Sequence, residues 1–402
     1  MEKNNLSLAG MRSDDDWVLT PMSNEPLRLR NKIGHELWSE IHDLPHSELE
    51  PEAESTISAK YIDLFLNGKY RGIYLLMERV DRKLLQLKPF NGEQRVELYK
   101  GVTWGATQYY GCPAFNNGSR SWSGFEMDYP KEEDYTDWEH LYSAVNLVVN
   151  ETDDAFNLNV FHEFQMSSSI DYFLFLNLLR ATDNLGKNVY VAKYDQGEPY
   201  FFVPWDLDGI LGTQYAGQQD TVFDDILTNG LFDRLILNES TYFLNHAAYR
   251  WYQLREAEFS NGALEERLCS QIDFLNESGA YDRESIAWPE FAFQSSDKDY
   301  MLSWIADRLA FLDDYFSAFV GVPEKETSLN IFPNPTSGIV WLQSNNGPTQ
   351  LKLYNSNGQM VLEKFIMSGT NRINLDELES GIYHLVMIGD DNVSSQSVIV
   401  GR

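Results

Sequence analysis

The sequence predicts an α+β chain that ends in a separate, small all-β domain. Three observations lead there. The stretch SAKYIDLFLNGKYRGIYLLMERVD alternates apolar and polar residues on either side of NGKYRG, as a hairpin does. Residues 221–319 show apolar spacings of three to four, which is helical. After the polar, Pro-containing stretch GVPEKETS at 321–328, the pattern becomes short alternating strands separated by Asn, Gly and Pro turns.

Composition narrows the function classes. At 402 residues and 43% hydrophobic, with abundant Phe, Tyr and Trp, the chain can bury a large core and hold two or three domains. A formal charge of −30 argues against nucleic acid or an anionic membrane as a partner, because both would repel it. It suits a salty or extracellular setting, and a site of that sign needs cations before it can hold phosphate. Two cysteines, Cys112 and Cys269, exclude a disulfide framework or a cysteine zinc cluster; one bridge between them is possible, but their spacing does not support it. No apolar run reaches the length of a transmembrane segment. The start MEKNNLSLAG lacks the basic and apolar regions of a signal peptide, so either the protein is cytoplasmic or its true start is missing.

In chain order, residues 1–26 are broken up, with DDDWVLT offering at most one strand. From Pro26 to Leu44, Leu29, Ile33, Leu37 and Ile41 recur near every fourth position, an amphipathic helix opened by Arg28, Arg30 and Lys32. That basic cluster reads either as a solvated face or as a group facing phosphate. The hairpin that follows turns at Asn67 and Gly68. It leads into Glu78, Arg79 and Asp81, and is either the small lobe of a two-lobed enzyme or the edge of a sheet. Residues 90–135, rich in Gly, Asn, Ser and aromatics, predict a structured but irregular insertion with no phosphate-binding glycine motif. DWEHLYSAVNLVVNETD is helical, and so is the stretch in which Ile170, Phe173, Leu174, Leu178 and Leu179 form an apolar side, with Ser168 and Ser169 as N-cap candidates.

The chemistry gathers after that helix. Asp183 and Asn188 stand five apart in the polar loop TDNLGKN, the spacing of the D-x-x-x-x-N loop in which a carboxylate receives a hydroxyl proton and an amide oxygen helps hold a metal. An Asp and an Asn after a helix equally make a turn and a cap. A hairpin then leads to FFVPWDLDG, where Asp206 and Asp208 offer the oxygens that Mg²⁺ or Mn²⁺ prefer; the alternatives are a calcium-type loop or a simple turn. Both acidic loops leave one end of the same hairpin. The seven histidines form no H-E-x-x-H motif and there is no G-x-S-x-G elbow, although a glycosidase carboxylate pair stays open.

RGIYLLMERVD at 71–81, LLRATDNLGKNVYV at 178–191 and FFVPWDLDGILG at 201–212 resemble, in that order, the signature blocks of the CotH kinase family, the spore-coat-protein-H-like atypical protein kinases. The resemblance implies a two-lobed protein-kinase-like fold, ATP with Mg²⁺ or Mn²⁺, and transfer of the γ-phosphoryl group to Ser or Thr of a protein. By position, Asp183 matches the catalytic-loop Asp, and Asn188 and Asp206 match metal ligands, with Asp208 as a second ligand or structural partner. Trp205, Lys187 and Glu78 are assigned to the nucleotide side, with core packing, an exposed loop lysine and a lobe crossing as their ordinary alternatives. Family members carry further strands before the block DDDWVL, with a phosphate-contacting lysine; the expectation is therefore a truncated N-lobe, with a signal peptide lost alongside it. LNIFPNPTSG, LYNSNGQMV and LESGIYHLVMI resemble the type A C-terminal sorting domain of type IX secretion cargo, an Ig-like β-sandwich. The expected layout is a remnant N-lobe at 1–88, a C-lobe at 89–320 with an insertion at about 101–135, a linker at 321–328 and a sorting domain at 329–402. The function expected is a secreted or surface kinase, partnered by a protein substrate and the type IX machinery. The alternative is an inactive exported adhesion or structural protein that keeps the fold.

Overall fold

The computed structural model describes residues 4–320 apart from 23–24, 93–95, 132–134, 216 and 239–240, and residues 330–401 apart from 335, 337, 345–348, 356–358, 367–368, 377 and 389–392. It is a mixed helix and sheet protein. The linker expected at 321–328 lies outside the described residues.

At the start, β1 (Leu6–Ser7) pairs with β2 (Ser13–Asp14). β3 (Val18–Pro21) then joins the long hairpin β4 (Ala59–Leu66) and β5 (Lys69–Met77) in an antiparallel sheet of order β3-β5-β4. Asn67 and Gly68, at φ 53° and 72°, make the expected tight turn, the positive-φ pair that matches strand twist.

Helix α1 (Arg30–Ile41) corrects both readings of the basic cluster. Arg28, Arg30 and Lys32 are all buried, Arg28 on Glu284 at 3.1 Å, Arg30 on Glu25 at 2.5 Å and Lys32 on Glu36. They neither face solvent as a group nor wait for phosphate. Glu25 also accepts the N–H groups of Leu27 at 3.0 Å and Leu29 at 2.5 Å, so a carboxylate four residues upstream does the work of a helix cap.

The stretch read as an irregular insertion contributes three strands to a five-stranded antiparallel sheet. These are β6 (Glu97–Gly101), β7 (Ser121–Trp122) and β8 (Phe125–Tyr129). Helices α2 (Glu139–Val149), α3 (Asp153–Glu163) and α4 (Met166–Leu179) follow, then β9 (Val189–Lys193) and β10 (Phe201–Pro204), giving the order β10-β9-β6-β8-β7. Much of the insertion's aromatic content packs inward: Trp122 lies 5.9 Å from Trp138, which stacks on Tyr99 at 5.2 Å.

Helix α4 begins earlier than its serines suggest. Gln165 is the N-cap and accepts the Ser168 N–H at 3.0 Å, while Ser168 and Ser169 are buried in the first turn. Ser168 Oγ accepts the Phe202 N–H at 3.0 Å, tying α4 to β10. The helix is buried on nearly every side, which is why no clean apolar stripe marks it.

Beyond β10 the chain runs irregularly to α5 (Gly230–Leu237), which is shorter than the periodicity from 221 implies. It continues through α6 (Phe243–Arg255), α7 (Asn261–Glu277), α8 (Ala280–Ala287) and α9 (Ser295–Ser317). One apolar core runs through all of this. Cys112 and Cys269 are both free.

The tail has its own core, centred on Val340, Leu342, Leu351, Leu353, Leu385 and Val398. It holds β11 (Asn330–Phe332), β12 (Ile339–Ser344), β13 (Thr349–Tyr354), β14 (Met360–Ile366), β15 (Gly369–Asn374), β16 (Gly381–Ile388) and β17 (Val393–Val400). They form antiparallel sheets of order β11-β12-β15 and β14-β13-β16-β17. Along β13 buried and half-buried residues alternate, as one-sided packing of a sheet requires. Among the described residues no helix is long and apolar enough to cross a membrane.

Candidate active site

The β9–β10 hairpin builds the site. Val189 pairs with Pro204, and the Trp205 N–H donates to the Asn188 carbonyl at 2.9 Å, so both acidic loops open from one end of the hairpin. The first loop starts where α4 stops at Arg180, in the left-handed conformation (φ 49°). The second turns through Asp206, also left-handed at φ 53°.

Asp183 and Asn188, from the first loop, and Asp206, from the second, come together. Lys187 Nζ holds Asp183 Oδ2 at 2.7 Å, and the Asn188 amide donates to Asp206 Oδ2 at 3.4 Å. Burial raises the proton affinity of Asp206; Lys100 and Lys187 oppose this, and Asp183 adds to it. These groups therefore share one electrostatic environment.

Lys100 is the residue that sequence reasoning missed. It stands on β6 opposite Tyr190, half-buried, with Nζ 5.5 Å from the Tyr190 ring centre and 5.4 Å from that of Trp205. Burial depresses its pKa, with Asp128 and Asp206 pulling the other way and Arg79 adding to the depression. A partly desolvated ammonium resting on two aromatic faces beside a half-buried carboxylate is a place for anionic oxygen. Its sequence signal is slight: a lysine closing the run in which Val96, Leu98 and Tyr99 are buried.

Trp205, against Lys100 on one side, also packs edge-on against His35, at 6.1 Å. Asp208 lies two residues past Asp206, half-buried, on the stretch gripped by α1. There the Leu207 N–H donates to Asn31 Oδ1 at 3.2 Å, and Arg30 Nε donates to the Ile210 carbonyl at 2.9 Å. Glu78 has different partners. Its carboxylate accepts the Ser58 N–H at 2.9 Å and the Arg12 N–H at 3.2 Å, joining the hairpin to the N-terminal segment. Its neighbour Arg79 instead reaches Asp128 at 2.5 Å, on the strand beside β6.

The donor set suits a hard cation. Asn188 and Asp206 offer oxygens only, and among the described residues no group of three His, Cys, Asp or Glu side chains could hold a metal ion.

Two acidic loops thus leave one end of a hairpin, with Lys100 opposite them on β6. The profile of the CotH kinase protein family matches residues 1–312, and the chain belongs to that family. Residues 330–401 match the secretion system C-terminal sorting domain, which marks the chain as exported cargo. No curated protein matches the chain.

Proposed function

We propose that residues 1–320 are a two-lobed kinase-like module that transfers the γ-phosphoryl group of ATP to a Ser or Thr hydroxyl of a protein. The β3-β5-β4 sheet with α1 serves as the smaller lobe. The observation that carries this reading is the convergence of Asp183, Asn188 and Asp206 at one end of a hairpin, with Lys100 facing Asp206.

In this reading Asp183 orients the acceptor hydroxyl and takes its proton. Lys187 fixes the carboxylate through Oδ2, so Oδ1 is the oxygen assigned to the acceptor. As the acceptor oxygen bonds to the γ-phosphorus, the bond from that phosphorus to the β-phosphate oxygen breaks and ADP leaves. Asn188 and Asp206 would hold Mg²⁺ or Mn²⁺, which when bound neutralises phosphate charge. Lys100 supplies fixed positive charge from the opposite wall, while Trp205 and Tyr190 exclude water behind it. The tail is read as an Ig-like sandwich recognised by the type IX machinery, and the kinase acts outside the cell or at its surface.

A second reading has its own observation. The Lys187–Asp183 pair and the Asn188–Asp206 bond let the cluster stand satisfied without ligand, as an inactive exported surface protein requires. One experiment separates the two. The full chain is given γ-labelled ATP, Mg²⁺ or Mn²⁺ and a Ser-rich acceptor, beside Asp183→Ala and Asp206→Ala. Incorporation is expected in the parent and lost in both variants. Equal labelling in all three would remove these aspartates from the chemistry, and none in the parent would favour the inactive protein.

A further inference from the structure

Asn184 follows Asp183, is 2% exposed, and makes bonds that neither acidic motif accounts for. Its Nδ2 donates to the Asn188 carbonyl at 2.7 Å and to the Trp205 carbonyl at 2.8 Å. Both partners are carbonyl oxygens, so only the NH₂ end of the amide can face them, and both of its hydrogens are used. Asn184 is itself anchored: its carbonyl accepts the Tyr172 hydroxyl at 2.8 Å and its N–H donates to Ala181 O at 3.1 Å. It is thereby fixed to α4, the most deeply buried helix of the module.

The two carbonyls it holds are not arbitrary. The Asn188 carbonyl belongs to the peptide that leaves Asn188, and its plane sets ψ there. The Trp205 carbonyl belongs to the peptide that enters Asp206, and its plane sets φ there. Asn188 and Asp206 both lie at positive φ, 54° and 53°, a region that costs most side-chain-bearing residues energy and that Asn and Asp enter most readily, so their neighbours decide whether they stay there. We infer that Asn184 is the positioning residue of this site: by pinning both peptide planes it fixes ψ at Asn188 and holds Asp206 left-handed, and so sets the spacing of the Asn188 and Asp206 side chains. The effect on rate rests on the phosphoryl-transfer reading; the effect on geometry does not.

Asn177 provides a matched control. It is equally buried and bridges as many groups, donating to Phe173 O at 2.9 Å and Leu227 O at 3.1 Å and accepting the Leu227 N–H at 2.8 Å. None of its partners is a site residue.

The test uses the full chain as parent, Asn184→Ala and Asn177→Ala, with crystal structures, Mn²⁺ binding in the presence of ATP, and kinetics. In Asn184→Ala the 205–206 peptide is expected to turn, Asp206 to leave the left-handed region, and the Asn188–Asp206 separation to open beyond 3.4 Å. The Kd for Mn²⁺ should rise about tenfold or more, in the range seen when supporting partners of metal ligands are removed. The kcat should fall with the acceptor KM unchanged. Asn177→Ala should lose thermal stability yet keep the parental geometry and Mn²⁺ affinity. Retention of a left-handed Asp206 and of the parental Asn188–Asp206 spacing in Asn184→Ala overturns the inference, as does an equal loss of Mn²⁺ binding in Asn177→Ala. If the parent neither binds Mn²⁺ nor transfers phosphate, the phosphoryl-transfer reading falls, and the crystal geometry still decides the role of Asn184. Should Asn184→Ala not fold, Tyr172→Phe, which frees the Asn184 carbonyl, is expected to give a smaller opening in the same direction; parental geometry in that variant counts against the inference.

Discussion

At Asp206, burial raises the carboxyl's hold on its proton, Lys100 and Lys187 lower it, and Asp183 raises it again. The ammonium of Lys100 is thus part of what favours the ionised form of Asp206, as the proposed phosphoryl-transfer role requires. Lys100→Met keeps an apolar stem against Tyr190 and Trp205 and removes the charge. It is expected to lower kcat/KM for ATP by roughly 10²-fold, the usual cost of removing one preorganised electrostatic group, while the melting temperature stays near that of the parent. Steady-state kinetics beside a thermal melt would show it, and an unchanged kcat/KM would remove Lys100 from the site. Asp183, Asn188 and Asp206 were legible as residues because spacing and acidic character mark them. Lys100 and Asn184 were not, because a lysine ending a strand and an asparagine after an aspartate are common until pairing shows what they face. Arg28, Arg30 and Lys32 were misread for the converse reason: their partners Glu284, Glu25 and Glu36 make them structural, and Glu284 is remote in sequence.

Helix α1 acts as an element that clamps the second acidic loop. Its amphipathic pattern was readable, yet nine of its twelve residues are buried, because it packs against the sheet on one side and residues 207–211 on another. Gly34 is where the two come closest: a Cβ there would lie 2.6 Å from Leu207 Cδ1 and 3.0 Å from Leu207 Cβ. Gly34→Ala is therefore expected to destabilise the module by about 1–3 kcal/mol through overpacking, read as a lower denaturation midpoint, and to weaken Mn²⁺ binding by displacing Leu207. A midpoint equal to the parent's would mean that Leu207 swings aside freely. The β4–β5 and β9–β10 hairpins were legible from alternation and turn residues. The strand character of 97–129 was not, since short strands between glycines carry little period and gain their hydrogen bonds from one another and, through β6, from the distant β9.

For the whole molecule, one deeply buried histidine couples folding to pH. Burial lowers the pKa of His35 from 6.5 to about 3. The unfolded imidazole therefore takes up a proton well before the folded one does. The stability from neutral His35 is complete above about pH 6.5 and is lost as pH falls toward 3, by about 1.4 kcal/mol per pH unit at most. The melting temperature is expected to fall between pH 6 and pH 4 less steeply in His35→Gln than in the parent; equal slopes would place the acid sensitivity elsewhere. The described residues fall into two apolar cores with no shared member, one from Met22 to Phe316 and one from Ile331 to Val400. Deleting residues 327–402 should thus leave the melting temperature of the module unchanged while retaining the protein in the periplasm. Normal surface display of the deletion would end the sorting role of the tail.

Periodicity, turn chemistry and fixed spacing are local properties of a chain, so the α+β class, the hairpin turns and the placing of two acidic loops at one end of a hairpin were readable from the residues alone. Tertiary structure alone decided that β6 lies beside β9 and carries Lys100 to Asp206, and that Glu78 is spent on Ser58 and Arg12. It also decided that Asn184 bolts the two loops together. Each of these depends on which distant residues share a small volume, and a buried charge or amide takes its role from the partner that satisfies it there.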